Sequence, residues 1–84
     1  MPRFYLDLQD GANLSAGDIG HEYFDLISAE RGAVTAAMEV GRNLFLTRRV
    51  SMITVVIRDE NGQKAATVTL ILDIDRSRHS DTFH

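Results

Sequence analysis

Asp25–Arg49, DLISAERGAVTAAMEVGRNLFLTRR, is the stretch whose reading decides the fold. At about 100° per residue, Leu26, Ala29, Ala33, Ala36, Ala37, Val40 and Leu44 fall on one side of a helix. Ser28, Arg31, Gly32, Thr35, Glu39, Arg42 and Asn43 fill the opposite side, and Ile27, Val34, Met38 and Phe45 form a second apolar stripe roughly a quarter-turn round. The alanines carry little bulk, so the first stripe lets the backbone approach closely whatever it covers, and a sheet face is the expected partner. Asp25 is placed to cap the first amides. Its charge and that of Glu30 suit the positive end of the macrodipole, and Arg48 and Arg49 suit the negative end. Gly32 and Gly41 each weaken the helix by about 1 kcal/mol relative to alanine, so tertiary packing has to hold it.

On the N-terminal side, Arg3–Gln9 alternates, with Phe4, Leu6 and Leu8 facing one way and Arg3, Tyr5, Asp7 and Gln9 the other. That is the pattern of a half-buried strand. Asp10-Gly11 marks a turn, residues 12–20 read as a polar loop, and His21–Phe24 as a short strand returning beside the first. On the C-terminal side, Val50–Arg58 and Lys64–Asp73 are rich in β-branched residues and flank Asn61-Gly62. Asn-Gly favours a two-residue type I′ turn, which needs positive φ at both central residues. With that turn, Ile57 opposes Ala66, Val55 opposes Val68 and Ile53 opposes Leu70; a one-residue slip would destroy the match. The expected fold is α+β, a four-stranded antiparallel sheet in the order β-β-α-β-β with one long helix on one face. Residues 1–75 make the domain and residues 76–84 a flexible tail.

Eighty-four residues suffice for one small core, and a hydrophobic share of 44% is too high for disorder. The absence of cysteine excludes disulfides and thiolate metal sites. No run approaches the roughly 20 apolar residues of a membrane span, nor is there a basic region followed by an apolar one at the N-terminus; the expectation is a cytoplasmic protein without a membrane partner. Net charge is −3, with eight arginines and one lysine, which argues against nucleic acid as a partner.

Five short elements carry a resemblance: the opening Met1-Pro2-Arg3-Phe4-Tyr5, the Asp10-Gly11 turn, the Asp18-Ile19-Gly20-His21-Glu22 segment, Ala29 and Ala33 four apart at the helix start, and Arg58-Asp59-Glu60-Asn61-Gly62. In order and spacing the chain resembles a family of short alphaproteobacterial proteins known only as a domain of unknown function, over roughly residues 1–70. The resemblance implies a bacterial protein and supplies no catalytic residue. The chain departs from that family at Leu6-Asp7, where an aromatic-histidine pair is usual, and at Leu70-Ile71-Leu72-Asp73, where a Pro-Phe strand end is usual.

The best ligand constellation is Asp10, Asp18, His21 and Glu22, whose carboxylates and imidazole suit a hard or borderline divalent cation. Their spacing lacks the run of an EF-hand loop, and solvated turn residues are the better account of them. Ser15, Ser28 and Ser51 lack the Gly-x-Ser-x-Gly context of a nucleophile, and Gly11, Gly17 and Gly20 are not spaced as Gly-x-Gly-x-x-Gly. No catalytic residue, metal ligand or cofactor is therefore assigned. Arg3, Tyr5 and Asp7 are the polar outward side of a strand, as alternation alone requires. One helix covers one sheet face, which leaves the second stripe and the far face; Tyr5, Met38, Phe45, Met52, Val56 and Ile71 are the candidate contacts of a homodimer. The preferred reading is a small interaction or regulatory module that self-associates and is not an enzyme. The rivals are a HicB-type antitoxin-like protein with a toxin partner, an analogy of element order only, and a metal-dependent or hydrolytic enzyme using the acidic loop.

Overall fold

The computed structural model describes residues 1–17 and 20–76. The chain runs β1 (Arg3–Asp10), β2 (Asn13–Ser15), β3 (His21–Glu22), α1 (Leu26–Leu46), β4 (Met52–Arg58) and β5 (Lys64–Ile71). The fold is α+β, with one helix on one face of an antiparallel sheet ordered β2-β1-β4-β5; β3 pairs with β1. The expected sheet of four strands has five. The expected loop over residues 12–20 contains Asn13–Ser15, which pairs back on Leu8–Asp10. Gly11 at φ 61° lets Gly11-Ala12 reverse the chain in two residues, and loop-like composition gave no sign of a strand this short.

The alternation of the central strand builds the core. Ile53, Val55 and Ile57 on β4 have no exposed surface, and neither have Ala29, Ala33 and Ala37 above them. Phe4, Leu6 and Leu8 from β1 and Ala66, Val68 and Leu70 from β5 complete the layer. Gly41 belongs to it too: a Cβ there would stand 2.8 Å from Ile53 Cδ1. The helix propensity lost at this glycine is exchanged for close approach to the sheet. Ala36 is only half-buried and Val40 exposed, so the contact stripe is narrower than the sequence suggests.

Both helix ends are defined by local chemistry. The Asp25 carboxylate accepts from the Ser28 amide at 2.8 Å. At the other end, Arg49 N donates to Leu44 O and Arg48 N to Phe45 O, closing a Schellman motif with Arg48 at φ 57°. Arg48 and Arg49 therefore lie beyond the helix rather than in its last turn. Arg48 takes the position for which glycine is favoured.

The β4–β5 register is the expected one from Met52↔Ile71 to Ile57↔Ala66. The turn is not. Gly62 N donates to Asp59 O at 3.0 Å and Asp59 N to Gln63 O at 2.8 Å, so Glu60, Asn61 and Gly62 form a three-residue loop with Gly62 at φ 79°. Asp59 Oδ1 accepts from the amides of Asn61 and Gln63, both at 2.9 Å. This carboxylate selects the longer loop over a type I′ turn. Arg58 then pairs with Lys64, which leaves Ala65 as the extra residue that restores the register.

Candidate functional site

β1 separates the acidic constellation. Asp10, at its C-terminal end, opposes Asn13, whereas His21 opposes Phe4 and Glu22 opposes Arg3 at the other end. Five strand residues lie between Phe4 and Asp10, a span of six rises or about 20 Å. Asp18 lies outside the described residues. Among the described residues no three histidine, aspartate or glutamate side chains group closely enough to hold a metal ion, and no polar side chain is buried. His79, His84 and Arg78, in the expected tail, also fall outside the described residues.

A different polar cluster exists on the outer sheet face. Arg58 makes a two-point contact with Asp7, Nε to Oδ2 at 2.6 Å and Nη2 to Oδ1 at 3.1 Å. The same Nη2 reaches Gly17 O at 3.1 Å, and Gly17 N donates to Asp7 Oδ1 at 2.8 Å. The guanidinium also covers the Tyr5 ring, 5.3 Å from its centroid. The Arg58 hydrogen bond holds the Asp7 carboxyl below the usual carboxylate range against the opposing effect of burial, and the Gly17 amide adds to the lowering. Gly17 admits no side chain, because a Cβ would come within 2.3 Å of Leu6 O. The cluster thus fixes Gly17, two residues beyond β2, against β1. In the sequence Asp7 belongs to a strand alternation and Arg58 to a hairpin far along the chain; only the pairing of Tyr5 with Arg58 across β1 and β4 joins them. Charge complementarity between an outward aspartate and an outward arginine was the available signal.

The interface candidates divide. Met38, Met52 and Ile71 are exposed, by 59%, 51% and 70%. Tyr5 and Val56 are half-buried, Tyr5 beneath Arg58, so the outer face is partly covered by its own polar side chains. Phe45 leaves the second stripe: its ring packs over Gly41 and against the core. Ile27 and Val34 remain exposed beside Met38. Shallow hollows at the helix C-terminal end share Arg49, Val50 and Ser51 and are open to solvent. Nothing in them pairs a nucleophile with a base.

No helix among the described residues is long and apolar enough to cross a membrane. No curated protein and no solved structure matches the chain. A family described as a domain of unknown function, DUF6894, matches residues 3–71, from the first residue of β1 to the last of β5. The matched segment takes in the helix, every strand and the Asp7–Arg58 cluster, and the chain belongs to that family.

Proposed function

We propose that this is a small bacterial, cytoplasmic interaction module that self-associates as a homodimer and performs no catalysis. The observation that carries the reading is the exposed helix flank. Ile27, Val34 and Met38 are spaced as one helical stripe and are 59%, 38% and 59% exposed. Apolar side chains exposed along one helix flank, on a chain with a net charge of only −3, favour association over solvation. A closed polar cluster whose groups satisfy one another, rather than converging on an empty pocket, supports a binding role over an enzymatic one. Light scattering on a sizing column tests it. A mass near twice 9.4 kDa at micromolar concentration is expected, and the monomer mass across a tenfold dilution series would refute it. The antitoxin-like alternative retains only its element order, and an adjacent toxin gene would be its signature.

A further inference from the structure

We propose that the homodimer forms by antiparallel pairing of β5 with β5 of a second copy, which makes one continuous sheet and packs the two helices side by side. The inference rests on the self-association reading and names its surface.

The first observation is the open edge. Among the described residues β5 pairs with β4 alone and is an edge of the sheet. Leu72 N donates to Ser51 O, so the even-numbered residues of this strand turn their backbone groups toward β4. By strand alternation the amides and carbonyls of Thr67, Thr69 and Ile71 point to the open side. The segment Lys64–Ile71, KAATVTLI, carries one charge, at its end, and no proline. Those are the residues with which edge strands are ordinarily blunted.

The second observation concerns the apolar helix flank and is independent of the first. Gly32 faces the Tyr23 ring, 3.0 Å from where its Cβ would be. Tyr23 stands on the β1 side, its ring 6.2 Å from that of Phe4 and its amide bonded to Pro2 O. Ile27, Val34 and Met38 lie on the opposite flank of the helix, the side that overlooks the β5 edge. Open backbone groups and unsatisfied apolar side chains therefore share one side of the molecule.

Geometry selects a second copy over a foreign strand. The helix lies over β4 and β5 about equally and barely reaches β1. A two-fold axis perpendicular to the sheet beside β5 places both helices on the same face, separated by two strand spacings, or about 10 Å. Packed helices stand roughly 8–10 Å apart. The flank of one copy is thereby delivered against that of the other. An isolated peptide strand would satisfy the edge and leave the flank in water.

Sedimentation equilibrium of the full chain and three variants, each checked for an unchanged circular dichroism spectrum, tests this. Met38→Glu places a charge between the helices. Thr69→Pro removes an edge-facing donor that β4 does not use. Met52→Lys alters the outer face alone. Met38→Glu and Thr69→Pro are each expected to raise the dimer dissociation constant at least about tenfold, the effect of a buried unpaired charge or a lost ladder bond, with Met52→Lys near wild type. Val34→Glu substitutes for Met38→Glu if that variant does not fold. A dimer weakened only by Met52→Lys would overturn the β5 pairing and leave self-association standing. A monomer at every concentration would overturn both.

Discussion

At the β1 edge, two short strands cover the backbone. β2 pairs with Leu8–Asp10 and β3 with Arg3–Phe4, and Asp7 and Arg58 hold Gly17, just beyond β2, by hydrogen bonds. At the β5 edge an eight-residue strand faces outward with nothing beside it among the described residues. The one strand edge is closed by local chain and side-chain hydrogen bonds; the other leaves its ladder groups open among the described residues. Edge strands left long and nearly uncharged invite pairing, which is why the proposed dimer is built on this edge.

The sharpest way to break the contrast is Gly17→Ala. Its Cβ would meet the Leu6 backbone, which cannot rotate aside, and a loss on the order of 2–3 kcal/mol is expected from overpacking. Urea midpoints measure it. A loss below about 0.5 kcal/mol, the usual surface range, would mean that the closed edge is not held at Gly17.

Asp7→Asn weakens the same edge more gently, by about 1 kcal/mol once the partial exposure of the pair is discounted. Its sign with pH is diagnostic. The folded pKa of Asp7 is depressed, so the stabilisation is complete above the unfolded value of about 3.9 and lost as pH falls through the lower folded value. Wild type and variant should differ in thermal midpoint at pH 7 and converge in stronger acid. A gap that persists or widens there would remove the Asp7 charge from the account of this edge.

Near the start of the open strand, Gly62→Ala is expected to lose about 1 kcal/mol by placing a Cβ at positive φ. No atom lies within 4 Å of that Cβ, so the whole effect is backbone strain. An unchanged urea midpoint would mean that the loop can relax. Arg48→Gly, at the helix C-terminal end, calibrates the series. Relief of the left-handed conformation at the helix end should raise stability by about 0.5–1 kcal/mol, less the extra entropy of a glycine in the unfolded chain. A decrease would show that the Arg48 side chain makes a compensating contact.

Much of the architecture follows from local periodicity. The helix, its Asp25 cap, the alanine stripe and the alternation of β1, β4 and β5 were legible because helical and strand faces repeat at 3.6 and 2 residues, whatever lies across from them. The β4–β5 register was legible for the same reason, since only one alignment superposes the apolar faces of adjacent strands. Its turn was misread because the Asp59 carboxylate acts on amides two and four residues away, which a dipeptide signal does not include.

What tertiary structure alone decided are the relations between segments distant in sequence. Asp7 and Arg58 become partners only when β1 docks on β4, and Gly41 becomes a core residue only when the helix crosses Ile53. Asp10 and His21 looked like neighbours in one loop and are held at opposite ends of β1, because β2 and β3 bind different halves of that strand. Nor could the sequence place the flank of Ile27, Val34 and Met38 beside the β5 edge. Periodicity specifies which residues share a face of an element; which side of the sheet that face overlooks depends on the helix's rotation and position, and those are set by long-range packing of Tyr23, Phe4 and Gly41.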